Sequence, residues 1–285
     1  MEAVKQFLPL LLSLSLGALV LTVGLKADPG DLIYVLRRPT LLARAILAVQ
    51  VIPPAAAAVL IWFLPLESAV KAGIMLMAIS PVPPLVPGQE LGVGARKEYA
   101  YGVYVAIALL TIIAVPLVYD MAAFLFGHGS TLPISLIAST VGTGVIIPLG
   151  LGMIIKRIAP AFAERVAPLV YKISMLLILL VFLPILVVIW PALKALIGDG
   201  TVLVMALLTA ITLFGGHMLG GPAAVDRATL AVASSVRHPG IAILIANTTF
   251  GDKRVTAAVL LYLIVGLVVG TLYKQWFKRT QLQPA

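Results

Sequence analysis

Ser80-Pro81-Val82-Pro83-Pro84-Leu85-Val86-Pro87-Gly88 stands inside an apolar stretch that otherwise reads as helix. Each of its four prolines removes an amide donor and clashes with a carbonyl one turn earlier, so a continuous helix is excluded there. A second stretch, Ser234-Ser235-Val236-Arg237-His238-Pro239-Gly240, combines a breaker with two ionisable side chains near the middle of another apolar span. Each stretch is followed by an apolar half-helix, a short charged loop and one long helix. The loops are Arg96-Lys97-Glu98 and Asp252-Lys253-Arg254. The two breaks fall in the third and eighth expected spans. They are therefore an odd number of crossings apart, and the units that carry them have opposite orientation. This is the pattern of an inverted repeat, whose sites lie at discontinuous helices near the membrane midplane. The competing reading is two proline-kinked helices that serve packing alone.

Composition supports a membrane setting. Of 285 residues, 61% are hydrophobic and 11% charged, and the mean hydropathy is +1.13. An ordinary soluble domain has roughly 45–50% and 25%. A soluble fold of this size has no place to hide so much apolar surface. Apolar runs of helical length are expected at 6–25, 43–64, 68–88, 100–120, 132–155, 165–190, 200–220, 224–250 and 254–276. The fold expected is an all-α polytopic membrane protein with nine spans. Residues 8–25, between Lys5 and Lys26, are read as a retained helix rather than a signal peptide, being long enough to span. Residues 27–42 carry Asp28, Asp31, Arg37 and Arg38 and are expected along the interface. Placing the N-terminus outside puts 14 Lys and Arg on the cytoplasmic side and 5 outside. That bias favours a cytoplasmic C-terminus and absorbs the net charge of +9, so a nucleic-acid partner is unnecessary.

The second break carries the chemistry. An arginine at membrane depth costs at least about 2.5–3.5 kcal/mol, so Arg237 must face a partner, a cavity or a ligand. Glu90, just beyond the matching break, is the nearest candidate for an ion pair. Backbone carbonyls or a bound anion are the alternatives. Half-helices that start at proline aim free amides and a positive dipole end into the crossing, which also favours an anion, with Ser80, Ser234 and Ser235 beside it. His238 either carries a proton or hydrogen-bonds a carbonyl. His217, near an expected helix end, is a candidate substrate- or ion-binding residue, with a hydrogen-bonded packing role as the competing reading. Acidic residues Glu90, Asp120 and Asp226 sit only at span ends, so a hard cation would find carbonyl, hydroxyl and amide oxygens alone. With no cysteine and no cluster of metal-ligand spacing, neither a cofactor nor a metal centre is expected.

Several motifs resemble the bile acid:sodium symporter superfamily and its bacterial relatives. Leu16-Gly17, Val23-Gly24-Leu25 and Leu36-Arg37-Arg38-Pro39 resemble that family's opening helix and its Arg-Arg-Pro loop. Gln50, four residues before Pro54, resembles the Gln…Pro of the next helix. Ala78-Ile79-Ser80-Pro81 resembles the first crossover helix, and Leu230 through Ala242 the second. The resemblance covers nearly the whole chain. It implies a nine-helix form that begins at the family's second helix, with a first repeat at 5–126, a second at 132–277, a panel and a core group, and two helices crossing at the substrate and ion sites. It also implies a bacterial inner membrane. The departures lie at the ion sites. Where the family usually reads Glu-x-Gly-x-Gln-Asn-x-Gly, this chain has Ala233, Arg237 and His238 at the Glu, Gln and Asn positions. Val86-Pro87 replaces Ser-Asn, and Gly102 and Ala106 stand where hydroxyls are expected. Of the sodium-site side chains, Gln50 remains. Arg237 thus puts a tethered cation where relatives bind a mobile one, and the two-sodium coupling is in doubt.

The function expected is secondary transport of a small organic anion by alternating access, with proton coupling open and membrane lipid as the surrounding partner. A channel or a sensory module on the same fold is the competing class. An enzyme is disfavoured: there is no Gly-x-Ser-x-Gly, no His-Glu-x-x-His and no glycine-rich phosphate loop.

Overall fold

Proline sets the helix boundaries of this chain. The computed structural model describes residues 2–125 and 131–282. Position 126, the expected end of the first repeat, lies outside them. The helices are α1 (Glu2–Lys26), α2 (Pro39–Phe63), α3 (Ser68–Ile79), α4 (Val86–Leu91), α5 (Lys97–Leu125), α6 (Ile134–Ile158), α7 (Pro160–Leu196), α8 (Thr201–Leu219), α9 (Ala224–Ser235), α10 (Pro239–Thr249) and α11 (Lys253–Leu282). Proline stands at a first or second helical position of α2, α4, α7 and α10, where a missing amide costs nothing. The charged segment 27–38 forms one short helical turn, Pro29–Leu32, and packs on α5.

Seven stretches are long and apolar enough to cross a membrane: α2, α5, α6, α7, α8, the interrupted 224–249 and α11. α3 is shorter, and α1 contributes the apolar helix Leu10–Lys26 among the described residues. The chain is therefore an integral membrane protein, all-helical in its described regular structure. Several helices outrun the expected spans. α7 has 37 residues, about 55 Å, against a hydrocarbon core of about 30 Å, so it must tilt or extend beyond that core. Leu180, Leu183, Val187 and Val188 on its outer face are at least half exposed, as lipid contact requires.

Two packing groups emerge. α1 lies on α6 and α7, and its closest approach is at Gly24 and Gly152, where either added methyl would meet the other helix's backbone. The remaining helices pack mainly among themselves, with α9 on α8 and α3 on α11. The groups meet where α5 touches α6 and α7 touches α11. Asp28 bridges them at one end through Lys156 of α6 and Lys97 of α5. Those two lysines hold its carboxyl below the usual carboxylate range.

Candidate functional site

The two breaks touch. α3 ends at Ile79, Ser80 is extended (φ −65, ψ 146), and helix resumes only at Val86. Pro81, Pro83 and Pro84 keep the chain open, and the following half-helix starts at Val86-Pro87. α9 ends at Ser235, residues 236–238 are non-helical, and α10 starts at Pro239. His238 caps α10: its Nδ1 accepts from the Ile241 N–H at 3.4 Å. Its own N–H donates to Pro81 O at 2.9 Å and joins one break to the other.

Arg237 lies at this contact, 2% exposed. Its Nη2 donates to Val49 O and to Ala78 O, both at 2.7 Å. Both acceptors are free for local reasons. The carbonyl of Val49 would ordinarily serve the amide of residue 53 or, in a π turn, of residue 54. Both are proline. The chain accordingly makes a π turn at Leu47–Val51 and leaves that oxygen bare. Ala78 O is freed because α3 stops one residue later. A guanidinium has five N–H donors. The two on Nη2 are used, so the N–H of Nε and the two of Nη1 remain, without partners among the described residues.

No ion pair joins Arg237 to Glu90 among the described residues; carbonyls take the place expected of the carboxylate. Glu90 is 1% exposed and its two oxygens have no partner there either. Gln50, one residue after Val49, is buried and donates to Thr111 Oγ1 of α5 at 3.2 Å. The serine hydroxyls are turned to backbone. Ser80 donates to Leu76 O, Ser235 to Val232 O, and Ser234 to Thr212 O and Ala231 O, which ties α9 to α8. His217 belongs to another cluster: its Nδ1 lies 2.7 Å from Tyr273 Oη, with Trp276 packed against both rings.

A narrow crevice, about 20 Å³ in volume, leads away from Arg237. Ser235, Tyr262 and Gln89 line it, and Lys274, which donates to Gln89 Oε1 at 2.8 Å, stands in its wall. A second cavity, about 620 Å³, is lined by Met75, Leu76 and Tyr119 and by the charged Glu67, Lys71, Asp252 and Arg254. Arg254 and Lys274 are twenty residues apart on α11, about 30 Å. The two cavities thus reach toward opposite ends of the bundle, and Met77 of α3 already belongs to the first. Gln89, Tyr262 and Lys274 are missed by sequence reasoning, since nothing local marks them. Val49 is signalled by Pro53-Pro54, which together leave its carbonyl without an amide.

Apolar helices, with two interruptions meeting at a buried guanidinium, define a helical membrane protein. The chain belongs to the sodium bile acid symporter family, whose model matches residues 13–197. Arg237 and the second break lie beyond the matched residues. Comparison with curated proteins yields no match.

Proposed function

We propose that the protein is a secondary transporter of a small organic anion, working by alternating access and without the family's two-sodium coupling. Arg237 carries the reading: a buried cation with three unspent donors, placed where two broken helices meet and opening on a crevice. The guanidinium stays charged, because it is not deprotonated in proteins. A carboxylate would complete it, with the α10 amide end and the Ser235 oxygen close by. In this reading α3/α4 and α9/α10 are the two crossing helices of an inverted repeat within nine spans, residues 5–126 and 132–277. The N-terminus is outside and the C-terminus cytoplasmic, in a bacterial inner membrane. The α1–α6–α7 group rocks against the rest around Arg237, and each cavity serves one side. Gln50 and His238 hold the crossing in register; His217 stays with its aromatic partners. Two cavities separated at residues 75–77 favour a carrier over a channel or a sensor.

The deciding experiment is a thermal-shift screen of purified protein with acetate, pyruvate, succinate and citrate, since a ligand of the folded state stabilises it by mass action. Saturable exchange of the best ligand in proteoliposomes is expected to follow, and no shift and no flux for any anion would remove the reading. Sodium is expected to change anion affinity by less than about tenfold, 1.4 kcal/mol, because Ala233, Arg237 and His238 provide no carboxylate or amide oxygen. Titrations in sodium and in choline buffers check this, and a larger rise in sodium would restore the coupling.

A further inference from the structure

We infer that Glu90 is the proton-carrying group of the transport cycle, held as a neutral acid in this conformation and ionised when the crossing opens. The inference rests on the anion-carrier reading above.

Glu90 and Gln89 are neighbours on the six-residue helix α4 and have opposite surroundings. Gln89 lines the crevice that leads to Arg237 and accepts from Lys274. Glu90 is sealed, and α4 packs on α5 and α9. Neither carboxyl oxygen has a hydrogen-bond partner among the described residues. A bare carboxylate in such a place costs several kcal/mol, and a proton removes the cost.

The charged groups around it do not supply that compensation. From α5, Tyr99 is within electrostatic range of Glu90, and also of Asp226, Arg96 and Arg44. Arg96 is held by Asp226 at 2.8 Å and by Tyr34 Oη at 3.1 Å. From α9, Arg227 donates to Gly221 O at 2.7 Å. From α11, Lys274 is engaged by Gln89. None of these cations forms an ion pair with Glu90 among the described residues.

One short helix therefore separates an acid that must be neutral from the crevice in which an anion would meet Arg237. A negative charge on Glu90 repels an anion there, and a protonated Glu90 does not. Proton and anion then bind cooperatively, and by linkage each raises the affinity for the other. The carrier is an anion–proton symporter, and the proton moves between the Glu90 carboxyl and water admitted when α4 and α9 part.

The test uses the full-length protein with the same four anions, titrated from pH 5 to pH 9. Wild-type affinity is expected to weaken by up to about tenfold per pH unit once Glu90 begins to ionise. Glu90→Gln is expected to show a flat profile. A flat wild-type profile, or a Gln variant that keeps the wild-type slope, overturns the proposal. Infrared difference spectra of wild type minus Glu90→Gln at pH 6 are expected to contain the carbonyl band of a protonated carboxylic acid, and its absence is equally fatal. The infrared arm needs no substrate. If none of the four anions binds while the band is present, the carrier reading fails and the protonated Glu90 stands. Should Glu90→Gln not fold, Glu90→Met replaces it in both arms. Wild type alone is expected to take up close to one proton per anion bound in lightly buffered solution, and no uptake overturns the assignment.

Discussion

Arg237→Gln is expected to weaken anion binding by at least about tenfold and up to a few hundredfold, the range for losing a charge-assisted hydrogen bond of about 1.5–3 kcal/mol. Folding should survive. Glutamine leaves at least one of Val49 O and Ala78 O without a donor, at about 1–3 kcal/mol for each. Removal of a buried charge returns several kcal/mol of desolvation. The two effects oppose one another, so the melting temperature moves by only a few degrees. Arg237→Lys keeps the charge and can reach a carbonyl, but its three donors sit on one nitrogen and lack the planar fork that holds a carboxylate in a bidentate way, so binding should be partial. Calorimetric titration beside a thermal melt separates these outcomes. A glutamine variant that binds and transports as wild type does would take Arg237 out of the site. If the glutamine variant unfolds while the lysine variant folds yet binds as wild type, Arg237 serves only the helix join.

Gly216→Ala is expected to lower stability strongly. The added methyl would lie within 2.6 Å of Ala231 Cα and Leu230 O and would overlap Ser234 Oγ. Two of these atoms are α9 backbone, which cannot rotate aside, and the third makes the Ser234–Thr212 bond between α8 and α9. Relief requires the helices to separate, with an overpacking cost of about 1–3 kcal/mol or more. The same motion would shift Ser235 and Arg237 at the end of α9. Gly150→Ala is the control: it is helical, nothing lies within 4 Å of its added methyl, and alanine favours the helix by about 1 kcal/mol. Melting curves in detergent should fall for the first variant and hold or rise for the second. Equal behaviour would mean that α8 and α9 pack less closely than described.

The membrane setting, the positions of both breaks and the importance of Arg237 are legible in the residues, because each follows from a local rule. Pro81, Pro83 and Pro84 crowd three missing amides into four residues and interrupt the helix there, Pro239 suits the start of a new one, and long apolar runs require lipid. Pairings are a different matter. Glu90 and Arg237 look like partners in sequence, opposite charges beyond two matched breaks, yet Arg237 takes two carbonyls and Glu90 takes nothing among the described residues. Ser80 and Ser234 look like ligand groups and donate instead to backbone oxygens, the nearest acceptors in a dry interior. His217 looks like a candidate binding residue and is held by Tyr273, 56 residues away. Sequence by itself determined where the backbone must open and that a cation sits there, since those are constraints on one segment at a time. Only the tertiary structure decided which oxygen that cation faces and which acid is sealed without a partner, because those choices depend on helices far apart in sequence meeting at ångström distances.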